Sequence, residues 1–117
     1  LGRVSINLPS SLEAMGRSLE AVAAADHGIE ICHSHGLADS GAWVYANQSQ
    51  SLFSLGHWTQ SETAAASAAR LALGPRAKGL AALRRTELAV ARGDTAEAEE
   101  QLALVRRYFG HRDPQHQ

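Results

Sequence analysis

Three of the six histidines lie close together in the sequence and are the first candidates for chemistry. His27, His33 and His35 could supply imidazole nitrogens to a metal ion. Histidine pairs that bind one metal from a helix are typically four residues apart, because that spacing places both side chains on one face. His33 and His35 are two residues apart, and His27 precedes His33 by six. We therefore predict no metal site, with these histidines as solvated polar residues.

The sequence also offers little for nucleophilic catalysis. Cys32 is the only cysteine, and its spacing from Ala25 and Ile29 places it on an apolar helical face, which favours a small buried residue over a reactive thiolate. Serines are plentiful, but no Gly-x-Ser-x-Gly elbow and no Gly-x-x-x-x-Gly-Lys-Ser/Thr loop is present. We predict a non-catalytic chain without a cofactor.

A third group of polar residues has a regular spacing. Asn7, Asn47 and Arg84 each lie nine residues before a glycine that ends a helical pattern. In a stack of helical hairpins the first helices line the concave surface, so these three side chains could form a ladder along a groove. Asparagine and arginine suit a peptide backbone or an anionic ligand. The alternative is that the asparagines hydrogen-bond to neighbouring helix backbone.

Two pairs of arginines could also contact an acidic partner. These are Arg84-Arg85 and Arg106-Arg107, and both occur where a helix is predicted. The alternative interpretation is that both pairs are solvated, since exposed ion pairs contribute little.

The elements that would position these residues follow from three glycines. Gly16, Gly56 and Gly93 are 40 and 37 residues apart, an interval typical of helix-turn-helix repeats. Each ends an apolar helical pattern, and a capping sequence such as Thr59-x-x-Glu62 follows Gly56. The sequence predicts helices that pair across these glycines.

The apolar periodicity predicts six helices and no strand. The first is kinked at Pro9 or begins at Ser10, and Gly36 ends the second. Asp94-x-x-Glu97 caps the sixth, and Trp58 fills the corner after Gly56. The expected helices span residues 3–15, 18–35, 42–55, 60–73, 78–91 and 95–108, with a short connector over residues 37–41.

The residues expected to face the core repeat at helical spacing. In the second helix they include Leu19 and Cys32, and in the sixth they are Ala98, Leu102, Val105 and Phe109. An alanine-rich stretch over residues 64–72 favours close helix packing.

Composition limits the class of protein. The chain of 117 residues suits one domain, and its 5% aromatic content favours closely packed helices. A net charge of −1 argues against nucleic-acid binding by this segment. With one cysteine, a reducing cytoplasmic setting is the simpler expectation. No run reaches the roughly 20 apolar residues that span a bilayer, so no membrane segment is expected.

The sequence around the glycines resembles a known family. Residues 47–61, Asn-Gln-Ser-Gln-Ser-Leu-Phe-Ser-Leu-Gly-His-Trp-Thr-Gln-Ser, resemble a repeat in the tetratricopeptide-like region of large bacterial LuxR-type transcriptional regulators with an ATPase module. Residues 7–21, with Leu-Glu-Ala-Met-Gly-Arg-Ser-Leu-Glu-Ala, and residues 87–94, Glu-Leu-Ala-Val-Ala-Arg-Gly-Asp, are similar to other elements of that region. The resemblance implies a nucleotide-binding module and a DNA reader elsewhere in a longer protein.

These observations predict an all-α fold, a right-handed superhelical stack of about three tetratricopeptide-like hairpins. The repeat domain would cover residues 1–109, with hairpins at about 1–35, 40–73 and 76–109 and a flexible tail at 110–117. The chain begins within a helical pattern, which suggests an excised segment. We expect a sensor or scaffold that binds a protein or peptide partner, or a small effector. The alternative is a homo-oligomerisation module in which residues 64–72 pack against a second copy.

Overall fold

The computed structural model describes residues 17–110, and this part of the chain is entirely helical. Its five helices account for all of its regular secondary structure, and no strand occurs between residues 17 and 110. The helices are α1 (Ser18–Ser34), α2 (Ala38–Ser54), α3 (Trp58–Leu71), α4 (Pro75–Arg92) and α5 (Thr95–Gly110). The prediction of an all-α fold is confirmed for these residues, whereas the predicted first helix, Gly16 and the segment 111–117 lie outside them.

The helices pack in a regular order. Each helix packs against the next along the chain, most extensively α2 against α3 and α4 against α5. In addition α2 packs against α4, whereas α1 does not pack against α3, nor α3 against α5, within the described residues. The largest contacts therefore lie across Gly56 and Gly93, as the glycine spacing predicts.

Left-handed glycines end three of these helices. Gly56 has a φ of 81° and Gly93 a φ of 75°, a conformation that strains residues with a Cβ atom. After each glycine the chain turns back on the helix, since the His57 amide donates to the Leu52 carbonyl and the Asp94 amide to the Ala89 carbonyl, both at 2.9 Å. This is the Schellman arrangement that satisfies carbonyls at a helix end. Gly36, with a φ of 65°, also ends its helix as predicted.

Three predicted helix starts are wrong. α4 begins at Pro75, three residues before the expected start at residue 78. α2 begins at Ala38, so the expected connector over residues 37–41 is largely helical, and Gly41 is buried at a point where a Cβ atom would lie 3.5 Å from that of Cys32. That distance is an ordinary van der Waals contact, so a Cβ atom would fit there, and Gly41 does not break the helix. α3 begins at Trp58, one residue before the predicted capping Thr59, and no side chain caps it. Main-chain geometry after Gly56 starts that helix.

The predicted cap of α5 is present in part. The Asp94 carboxylate accepts a hydrogen bond from the Glu97 amide at 3.1 Å. The Glu97 carboxylate does not return to Asp94 and instead accepts a hydrogen bond from Gln101 Nε2 at 2.9 Å. The cap therefore uses one side of the predicted capping box.

Small residues form most of the core. The buried apolar residues are mainly alanines, and Val44 is the largest side chain that is fully buried. Two alanines of α3, Ala65 and Ala68, are completely inaccessible, as expected for a close helix contact. Two serines add a buried polar link, because each hydroxyl donates to the other's carbonyl: Ser49 Oγ to Ser61 O at 2.8 Å and Ser61 Oγ to Ser49 O at 2.7 Å. This link joins α2 to α3.

Some predicted core positions are wrong or only half-buried. Leu19, in the first turn of α1, is 70% exposed. In α5 the four predicted core residues are half-buried, and the buried residue is Gln101. Trp58 is also half-buried, and its ring stacks on Phe53 with centroids 5.8 Å apart. The predicted position of Trp58 at the corner after Gly56 is confirmed.

Candidate binding grooves

Two of the three predicted ladder residues lie on α2 and α4, the first helices of the two described hairpins. Asn7 lies outside the described residues, and Asn47 is half-buried on α2. Arg84, on α4, has a side chain only 12% exposed, and its Nη1 donates to Glu87 Oε1 at 2.7 Å. Arg84 Nε has no hydrogen-bond partner within residues 17–110. α2 and α4 pack against each other, so Asn47 and Arg84 belong to adjoining helices.

The side chains considered for metal binding and catalysis do not converge. No group of three His, Cys, Asp or Glu residues in the described range could hold a metal ion. His33 and His35 are exposed, and His35 Nδ1 lies 3.0 Å from the Ile31 carbonyl oxygen of its own helix. Cys32 is 2% exposed, and burial raises the pKa of its thiol. A raised pKa lowers the fraction of reactive thiolate at neutral pH.

A groove that the sequence analysis missed lies between α3 and α5. Because these two helices do not pack together, α4 forms the floor between them. The α3–α5 groove consists of two openings of about 290 Å³ and 190 Å³. Arg85 lines both openings and so lies at their junction.

The larger opening is charged on all sides. Glu62, Asp94 and Glu97 line it together with Arg85 and Arg92. One of these cations is already paired, since Arg92 Nε lies 2.5 Å from Glu62 Oε2 and its guanidinium covers the Trp58 ring at 5.6 Å. These contacts fix Arg92 across the end of the groove.

The smaller opening combines two cations with an unpaired acceptor. Lys78 and Arg85 line it, and Lys78 Nζ lies 5.9 Å from the centre of the Tyr108 ring. Gln101, also in its lining, is 4% exposed, and its Oε1 accepts no hydrogen bond from residues 17–110. A buried acceptor without a donor is costly, so this atom identifies a position where a donor would be stabilised.

An equivalent groove lies between α1 and α3, with α2 as its floor. Gln48, on that floor, donates from Nε2 to Asp26 Oδ1 at 2.7 Å and to the Val22 carbonyl at 3.2 Å. Gln48 precedes Arg85 by 37 residues, the interval between Gly56 and Gly93, and Asp26 precedes Ala66 by 40, the interval between Gly16 and Gly56. In the later repeat Arg85 therefore takes the position of Gln48, and Ala66 takes the position of Asp26, the acidic neighbour of Gln48.

The two arginine pairs differ in their surroundings. Arg84 is mostly buried and ion-paired, whereas Arg85 lines the α3–α5 groove. Arg106 and Arg107 are exposed on α5, and the Arg107 guanidinium lies 5.8 Å from the centre of the Tyr108 ring. The sequence does not distinguish Arg84 from Arg85, because the burial of each side chain depends on which neighbouring helix packs against it.

Comparisons with protein-family models, with curated proteins and with solved structures give no match to this chain. Among the described residues, none of the helices has the length and apolar character needed to cross a membrane.

Proposed function

We propose that this chain is a non-catalytic binding segment, a tetratricopeptide-like superhelical stack that serves as a sensor or scaffold. The observation that carries the proposal is the packing order of its helices. The first helices of successive hairpins, α2 and α4, touch each other, whereas the second helices, α3 and α5, do not. We infer from this asymmetry that the array curves and presents an extended surface along its first helices, and extended surfaces of this kind bind peptides and proteins.

The sequence resemblance supports a more specific setting, within a cytoplasmic LuxR-type transcriptional regulator. There the nucleotide-binding and DNA-binding modules would lie elsewhere in the protein. The segment would bind a protein or peptide partner, or a small effector, along the surface that carries Asn47 and Arg84. Both side chains can hydrogen-bond to a peptide backbone, and arginine can also pair with an anionic group.

The alternative, homo-oligomerisation through the alanine-rich stretch, would need a free apolar face on α3. Ala64, Ala65 and Ala68 are each at most 5% exposed, because they pack inside the chain itself. Sedimentation over a range of protein concentrations distinguishes the two functions. A monomer at all concentrations is the expected result, and a concentration-dependent dimer would favour the alternative.

The binding surface is tested with peptides selected from a random displayed library on the intact chain. The double variant Asn47→Ala with Arg84→Ala should bind the selected peptides at least about tenfold more weakly, because one or more charge-assisted hydrogen bonds are lost. Its melting temperature should stay within a few degrees of the wild type. Arg106→Ala is the matched control, since Arg106 is exposed on α5. Unfolding of the double variant would assign the two residues a structural role, and unchanged peptide affinity would show that they do not contact the peptide.

A further inference from the structure

We infer that the smaller opening of the α3–α5 groove is a second binding site, which takes an acidic residue of an extended peptide segment. It goes beyond the proposed function, because the Asn47 and Arg84 side chains do not line this groove. The site consists of Lys78, Arg85 and Gln101.

The two cations of this site have no carboxylate partner. Three arginines of the described chain are ion-paired: Arg17 with Glu20, Arg84 with Glu87 and Arg92 with Glu62. No carboxylate between residues 17 and 110 forms an ion pair with Lys78 or Arg85, nor with Arg70, Arg76, Arg106 or Arg107, but only Lys78 and Arg85 line this opening. Arg85 is half-buried, so a carboxylate beside it would be screened less than at an open surface.

Gln101 supplies the third contact and selects for a peptide. Its Nε2 already donates to Glu97 Oε1, and turning the amide over would place Oε1 against that carboxylate. Its orientation is therefore fixed, and the free Oε1 requires a hydrogen-bond donor. A peptide residue with an acidic side chain offers both groups at once, a carboxylate for the cations and a backbone N–H for Gln101. A bare inorganic anion offers only the first.

The charges of the groove also orient the peptide. The larger opening carries Glu62, Asp94 and Glu97, of which only Glu62 is ion-paired within the described residues. A second acidic residue in that opening would be repelled, whereas a basic one would be attracted. The matching segment therefore has one acidic residue at the Lys78 end, followed by neutral or basic residues toward Asp94.

Nuclear magnetic resonance titration of the intact chain tests this site. The probe is an acetylated, amidated peptide with the sequence Ser-Glu-Ser-Ser-Lys-Ser, and the matched control peptide carries glutamine in place of glutamate. The glutamate peptide should shift the signals of the Gln101 side-chain amide and of Arg85 Nε–H. Its affinity should exceed that of the glutamine peptide at least about tenfold, as expected for a charge-assisted contact.

Variants of the chain then localise the binding. Arg85→Gln and Lys78→Gln should each reduce the affinity for the glutamate peptide several-fold, whereas Arg106→Gln on the exposed face of α5 should leave it unchanged. The double variant Asn47→Ala with Arg84→Ala should also leave it unchanged, so this site can fail independently of the proposed function. Circular dichroism of each variant checks that the helices are intact.

Three results would overturn the inference. The first is equal affinity for the glutamate and glutamine peptides, and the second is the absence of signal changes at Gln101 and Arg85. The third is that inorganic phosphate produces the same changes and displaces the peptide at the same concentration. That result would assign the opening to small anions.

Discussion

The contact between Gly79 and Phe109 gives the sharpest test of how the last two helices pack. A Cβ atom added to Gly79 would lie 2.6 Å from Phe109 Cζ and 2.8 Å and 2.9 Å from the two Cε atoms. Gly79 is buried in the interior of α4, and the Phe109 ring rests directly on its backbone. Gly79→Ala therefore forces the ring to move.

Two effects of opposite sign determine the outcome of Gly79→Ala. Alanine is more favourable than glycine inside a helix by about 1 kcal/mol. Overpacking of a tight contact costs about 1–3 kcal/mol. We expect a net loss of about 1 kcal/mol in the free energy of unfolding, measured by urea denaturation with far-UV circular dichroism.

Phe109→Ala provides the matched background. Removing the half-buried ring should itself cost about 2 kcal/mol, less than the loss of a fully buried phenylalanine. In that background Gly79→Ala should stabilise the protein by about 1 kcal/mol, because the clash with the ring is gone and only the higher helix propensity of alanine remains. The double variant reproduces the pair Ala42 and Ala72, which lie 37 residues earlier and share one core cluster.

The coupling between the two substitutions should therefore be about 2 kcal/mol, larger than the few tenths typical of independent sites. If Gly79→Ala stabilises the wild-type chain by the full helix preference, the ring moves aside without cost. The inferred tight packing of α5 on α4 would then be wrong.

Three further predictions concern other contacts. Ser61→Ala should lower the free energy of unfolding by about 1 kcal/mol, measured by urea denaturation. Adding Ser49→Ala should lower it by less than that, because the two hydroxyls belong to one buried hydrogen-bonded link. Losses that simply add in the double variant would contradict this. Asp39→Ala should lower the melting temperature by several degrees, because the Asp39 carboxylate accepts hydrogen bonds from the Leu73 and Gly74 amides just before α4. An unchanged melting temperature would show that these hydrogen bonds do not contribute to stability. Cys32 should react with an aromatic disulfide reagent far more slowly in the native chain than in urea, and equal rates would show that its burial is transient.

The helix content and the corners at Gly56 and Gly93 could be predicted because their causes are local. An apolar repeat of the helical period and a residue that tolerates positive φ act within a few positions of the chain. Gly41 shows the limit of such reasoning. It lies in a stretch rich in glycine, serine and aspartate, which is typical of a corner, yet it is inside α2 and buried against Cys32.

The candidate sites depended even more on tertiary structure. Asn47 and Arg84 occupy equivalent positions of the repeat, nine residues before Gly56 and Gly93. Their burial, however, depends on which helix lies beside each side chain. The sequence did not identify Gln101 as a buried residue, because core positions are predicted from apolar residues at helical spacing and glutamine is polar. Its burial, and the unpaired Oε1 that results, arise only where α4 and α5 meet.

The sequence by itself thus determined that the described chain is helical and that it turns at Gly36, Gly56 and Gly93, since both follow from short-range sterics and periodicity. Only the tertiary structure decided that α3 and α5 stay apart, leaving Arg85 in the groove between them without an ion pair to any described residue. That outcome follows from the distances between helix axes, which depend on the side chains of several helices at once.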